Sequence, residues 1–273
     1  MFQAIAHELR LFFVAVQFLT RVPVPRWVGF EPAWLNDCVR YFPLVGVGIG
    51  AFASVAWWLA FMLWPPTVAV ILSMAATLWL TGGFHEDGLS DTVDALGGAV
   101  SRERALLIMK DSRLGAYGAM ALVVMLGLKA STLVGLARYG PWLPVLALLW
   151  AHTISRAAAV VLMRTLPYGG DVAHAKAKPL ATTVSGTALW VSLMWGLVVT
   201  LAIGAAVPSV VMAIALLLGV LACGFVTVVC GRWFWRRLGG YTGDTLGATQ
   251  QFTEVAALLA WLAVFNQQAV LLR

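Results

Sequence analysis

Charge is scarce in this chain. Of 273 residues, 18 are Lys or Arg and 12 are Asp or Glu, 11% in all, against about a quarter in an average soluble domain. No charged side chain occurs in the 44 residues from Tyr41 to Phe84 or in the 53 from Pro179 to Gly231. A helix crosses a bilayer with about 20 apolar residues, so each gap is long enough for two crossings. Cysteine is sparse too. Cys38, Cys223 and Cys230 are odd in number and form no CxxC pair, which excludes a disulfide scaffold and a thiolate metal site. A hydrophobic share of 61% excludes a disordered chain. No cleavable signal peptide is expected, because the first segment carries His7, Glu8 and Arg10 and no small-residue cleavage site follows it.

What the chain does have is a succession of apolar stretches. Ile5, Leu9, Phe12, Val16 and Leu19 recur at steps of three or four, the mark of an amphipathic helix. Residues 1–20 therefore read as an interfacial helix, broken by Arg21-Val-Pro-Val-Pro25. Spans are expected at 42–63, 67–84, 114–136, 141–163, 186–204, 209–231 and 252–272, with charged segments at 85–113 and 232–251 and a polar loop at 164–185. The expectation is all-α: a polytopic transmembrane helical bundle of about seven spans plus the N-terminal interfacial helix, one integral membrane domain over 1–273. Gly46-x-Gly48-x-Gly50 should allow close helix packing.

The basic residues fall on one side. Counted over alternate loops, thirteen Lys and Arg lie with 21–40, 85–113, 164–185 and 232–237, and two, Arg138 and Arg273, lie opposite. The positive-inside rule makes the thirteen-charge side cytoplasmic. This accounts for the net charge of +6 without a nucleic-acid partner.

The chemistry concentrates in the run from Gly82 to Gly98. Asp87, Asp91 and Asp94 stand at i, i+4 and i+7, which puts them within roughly 60° of one another on a helix. Such a stripe repels itself unless a cation binds, and Mg²⁺ bridges carboxylates to substrate phosphates. The bland reading is a solvated acidic loop. Gly88 should leave room for a substrate to approach the backbone, and Glu86 lies farther round the wheel. Lys110-Asp-Ser-Arg113-Leu-Gly115 and Gly239-Gly-Tyr-Thr242-Gly-Asp244-Thr-Leu-Gly247 each put an acid beside glycines at a span boundary. Lys110 and Arg113 could hold phosphate oxygens, and Asp111 and Asp244 could complete a metal shell; the alternative is a pair of charged helix caps. Arg156 and Lys129 fall within spans, where charges are expensive and face a cavity or a partner, although Lys129 could snorkel. His152 reads as a core histidine. Glu254 is either a charge at the start of the last span or a substrate contact.

Several of these runs resemble the cobalamin synthase family, the adenosylcobinamide-GDP ribazoletransferases. They are Gly82-Gly-Phe-His-x-Asp87-Gly-Leu-x-Asp91-Thr-x-Asp94, Met109-Lys-Asp-Ser-Arg-Leu-Gly115 and Gly239-Gly-x-Thr242-Gly-Asp244-x-Leu-Gly-Ala248 with Glu254 downstream. Phe18-Leu-Thr-Arg21-Val-Pro-Val-Pro25, Tyr41-Phe-Pro-Leu-Val-Gly46 and Ser155-Arg156 fit as well. The resemblance runs in order from about residue 15 to 260. It implies a bacterial inner-membrane enzyme with its active site in the cytoplasmic segments 85–113 and 232–251. The enzyme would use Mg²⁺ to join adenosylcobinamide-GDP to α-ribazole or its phosphate and release GMP. On that reading Asp87, Asp91, Asp94, Asp111 and Asp244 are metal-ligand candidates. Asp94 and His85 are candidate bases, and Lys110, Arg113, Arg156, Thr242, Arg21 and Glu254 are substrate-binding candidates. Lipid is the other expected partner, and a homo-oligomer is left open. A CDP-alcohol phosphatidyltransferase fits less well, because no Ala-Arg pair follows Gly88 and Asp91 and Asp94 are three apart, not four. A cation transporter would place its acids at mid-bilayer.

Overall fold

The apolar runs fold into helices whose ends are set by the residues flanking them, in a computed structural model that describes residues 2–170 and 181–271. In chain order these are α1 (Phe2–Leu19), α2 (Trp34–Cys38), α3 (Phe42–Phe61), α4 (Pro66–Thr81), α5 (Phe84–Leu96), α6 (Arg102–Lys110), α7 (Ala116–Ala137), α8 (Trp142–Thr165), α9 (Gly186–Ala206), α10 (Val210–Leu238) and α11 (Gly243–Leu271). Six helical stretches are long and apolar enough to cross a membrane: α2 with α3, then α7, α8, α9, α10 and α11; counting the bent pair α4–α5 as one span gives up to seven. The described residues contain no strand, only an isolated bridge between Tyr168 and Tyr241. Lys176, Lys178 and Arg273, counted above among the loop charges, lie outside the described residues.

Several boundaries follow from single residues. Ser101, Ser185 and Ser209 each accept a hydrogen bond from the amide three residues on, at 3.3, 3.0 and 3.1 Å, capping α6, α9 and α10. Gly239, at φ +71°, ends α10 in the left-handed conformation that glycine takes without strain.

Two boundaries differ from the sequence expectation. The segment 232–251 is not a loop: α10 continues to Leu238, α11 begins at Gly243, and only 239–242 lie between. The segment 85–113 also begins as a helix. Gly82 and Gly83, at φ +74° and +70°, end α4 after 16 residues and turn the chain by 89° into α5.

The core is centred on α8, where Trp150, Ala151, His152, Ser155 and Arg156 are all buried. Gly50 of α3 lets the helices touch, since a Cβ there would stand 2.8 Å from the Leu148 carbonyl oxygen. Trp57, Trp150 and Trp261 fill the middle of the bundle. Leu11, Val14 and Leu19 of α1 pack against a second cluster that includes Val160, Phe234 and Tyr241.

Candidate active site

The acidic helix α5 is held at its C-terminal end and along one side. At its C-terminus Arg237 of α10 donates to the carbonyls of Leu96 and Gly98 at 2.8 and 2.7 Å, a cation on a helix's negative end. Along its inner side α5 lies on the start of α11. A Cβ on Gly88 would stand 2.8 Å from the Asp244 carbonyl oxygen, and one on Gly247 would stand 3.2 Å from that of His85. Gly88 therefore admits a neighbouring helix, not a substrate, which corrects the sequence reading of that glycine. The α11 start is itself fixed by a reciprocal cap, Thr242 N–H to Thr245 Oγ1 at 2.8 Å and Thr245 N–H to Thr242 Oγ1 at 3.3 Å.

The three stripe aspartates meet different surroundings. Asp87 is exposed and lines an open cleft of about 660 Å³, whose other walls include Phe18, Arg21, Phe84, Glu86, Ser90 and Leu114. Asp91, one turn on, is half-buried. Asp94 is turned to the start of α7, where its two oxygens accept from the amides of Gly115 and Gly118 at 2.8 and 2.7 Å. Among the described residues no three His, Cys, Asp or Glu side chains are gathered closely enough to hold a metal ion.

The remaining candidates divide into three groups. Arg21 shares the cleft with Asp87, and its guanidinium lies over Gly82. Lys110, the last residue of α6, and Asp111 and Arg113, between α6 and α7, do not line the cleft. There Arg113, 87% exposed, pairs with Asp111 at 2.6 Å, and that hydrogen bond holds its guanidinium pKa above the usual value. Thr242 and Asp244 belong to the α11 start, and Tyr241 beside them has its phenol pushed up to about 12 by burial. His85, Arg156 and Glu254 lie inside the bundle, at 5%, 2% and 0% exposure.

Glu254 is not at the start of its helix, as the sequence suggested. It sits three turns in, because α11 begins earlier, and anchors a buried ionic network. Lys129 pairs with it and does not snorkel, being 3% exposed. His152 Nδ1 lies 3.3 Å from the same carboxylate. Gln250 donates to Glu254 and to Ser155 Oγ at 3.1 Å. Gln251 donates to Gln250 at 2.9 Å and to Glu86 Oε1 at 3.0 Å. The network thus runs from mid-bundle to Glu86 on the cleft wall. Sequence reasoning set Glu86 aside and gave Gln250 and Gln251 no role; their only signal is a polar stripe, Thr245, Thr249, Gln250, Thr253 and Glu254, on an otherwise apolar helix.

Comparison with known proteins adds an independent finding. The sequence model described as cobalamin-5-phosphate synthase matches residues 11–262. A protein of Leptothrix cholodnii named adenosylcobinamide-GDP ribazoletransferase is 56% identical over 261 residues, 95% of this chain and 97% of that one. Proteins of the same name from Shewanella piezotolerans and Polaromonas sp. are 44% and 42% identical, covering 96% and 93% of this chain and 98% and 97% of theirs. No solved structure matches.

Proposed function

We propose, for a chain that belongs to the cobalamin-5-phosphate synthase family, that the cleft between the end of α1 and α5 is where the diphosphate of adenosylcobinamide-GDP meets a hydroxyl of α-ribazole or its phosphate. The chain is a multi-pass membrane protein and an enzyme of the ribazoletransferase kind. In this reading it sits in the bacterial inner membrane with the cleft toward the cytoplasm, and the one-sided distribution of Lys and Arg supports that orientation. The hydroxyl oxygen attacks the phosphorus that bears the cobinamide. The bond from that phosphorus to the bridging oxygen breaks, GMP leaves with the electron pair, and the hydroxyl proton passes to a base.

The observation that carries the proposal is that Arg21 and Asp87 line the same open cleft. Phosphoryl transfer is mostly positioning and charge stabilisation, and the chain supplies both. Arg21 presents a fork of donors to non-bridging oxygens. Asp87, with Asp91 one turn behind it, offers carboxylate oxygens alone, the donor set of a hard cation that completes its shell with water and substrate phosphate. Mg²⁺ bound there would neutralise the diphosphate and ease departure of GMP. Asp94 already accepts two amides, which leaves His85, buried behind Phe84 of the cleft wall, as the proton acceptor in this reading. The purified chain in lipid nanodiscs should release GMP from adenosylcobinamide-GDP only when ribazole and Mg²⁺ are both present. Folded protein that releases none under these conditions would refute the reading.

A further inference from the structure

Behind the cleft lies a second, smaller and partly open cavity. Its walls include Phe18, Phe42, Phe84, His85, Met163 and Arg156. Phe18 and Phe84 belong to both spaces, so this edge-to-face pair, with centroids 5.3 Å apart, is the partition between them. Phe42 stacks on Phe18 from the inner side at 6.1 Å and an interplanar angle of 5°. The space measures about 40 Å³, room for a few waters at about 10–15 Å³ each and too little for a bicyclic ring until the partition moves. Phe84 is the outer half of this partition: it is 40% exposed and begins α5 directly after Gly82 and Gly83, both in the left-handed region. The wall also holds an unanswered donor. Arg156 is 2% exposed and bonds His152 through Nη1, while its Nε is buried without a partner.

We infer that this inner cavity receives the planar base of the acceptor nucleoside, with Phe84 as the movable wall; the inference rests on the ribazoletransferase reading above. Three apolar or aromatic faces suit a flat, methylated bicycle. Such a base, joined to ribose through one ring nitrogen, keeps a single in-plane polar atom, the acceptor of the other nitrogen. One buried N–H without a partner matches one acceptor. Guanine, the other base in the reaction, carries several donors and acceptors, and most would be left unpaired against these walls at a heavy desolvation cost. With the base inside, its ribose stands at the Phe18–Phe84 mouth beside His85 and faces Asp87 and Arg21 across the cleft. A hydroxyl is thereby brought to the diphosphate.

Two variants of the full-length chain test this. Ala159→Phe fills the cavity from α8 at a residue that does not line the cleft, and should raise KM for ribazole about tenfold or more while leaving KM for adenosylcobinamide-GDP unchanged. Phe84→Ala removes the partition, which walls both spaces, and should change KM for ribazole by a larger factor than KM for adenosylcobinamide-GDP. A rise in KM for adenosylcobinamide-GDP instead, or no change in either, would overturn the inference. A direct measurement stands apart from turnover: equilibrium dialysis of free dimethylbenzimidazole against nanodisc-embedded protein should show binding to the wild type that Ala159→Phe abolishes. Equal binding by both, with Ala159→Phe melting as a folded protein, would also overturn it. If the wild type released no GMP, the reaction would fall, and the dialysis alone would decide what the cavity holds.

Discussion

Lys129 and Glu254 offer the sharpest test of how the bundle is held. Lys129 is 3% exposed and Glu254 0%, and the two pair directly. A charge at such a site is tolerable only with its partner, and removing one member of a buried pair costs about 3–5 kcal/mol. The two single variants should differ. Lys129→Met leaves Glu254 with the hydrogen bond that Gln250 donates and with the His152 ring at 3.3 Å, so its cost should fall at the low end. Glu254→Gln leaves the buried Lys129 ammonium without its counter-ion, so its cost should fall at the high end. At about 2–4 °C per kcal/mol, the melting temperature should drop by about 6–20 °C across the pair of variants. The double variant removes both charges together and should be less damaging than the sum of the singles by about 2 kcal/mol. Tryptophan-fluorescence melts of the four proteins in one detergent measure all of this. Single variants within about 1 kcal/mol of wild type, where a broken buried pair should cost several times more, would refute the argument, as would a double variant equal to the sum.

Three further expectations follow. Asp94→Ala removes the acceptor for two α7 amides and should cost about 1–2 kcal/mol in a chemical or thermal melt, with a smaller loss of turnover than Asp87→Asn. Gly88→Ala forces a methyl against the Asp244 carbonyl, so α5 and α11 must separate at a cost of about 1–3 kcal/mol; GMP release should fall with it even where the protein still folds. Removal of divalent cations by chelator should abolish GMP release, Mg²⁺ should restore it, and the melting temperature should move little, because no described cluster is built around a metal.

Hydropathy made the spans legible because charge is scarce in them: α3, α7 and α8 begin and end within two residues of the expected 42–63, 114–136 and 141–163. The α10–α11 corner was misplaced because Arg232, Arg236 and Arg237 look like loop charges in one dimension. In three dimensions Arg237 spans to the end of α5, so its charge serves a neighbouring helix. The aspartate stripe was visible from spacing, but the fate of each member was not. Whether Asp94 faces a ligand or the amides of Gly115 and Gly118 depends on where α7 begins relative to α5, and no local pattern encodes that. Gly88 carries the same lesson, since a glycine that admits a substrate and one that admits a helix read alike. The Glu86–Gln251–Gln250–Glu254–Lys129 chain joins three helices far apart in sequence, and its two amides carry no charge to attract notice.

In the proposed site Asp87, at the open end of the α5 stripe, acts on the diphosphate. GMP release by Asp87→Asn in nanodiscs, with melting temperature recorded on the same sample, tests that role. The expected result is a melt close to wild type and turnover reduced by about a hundredfold or more; wild-type turnover in the folded variant would contradict it.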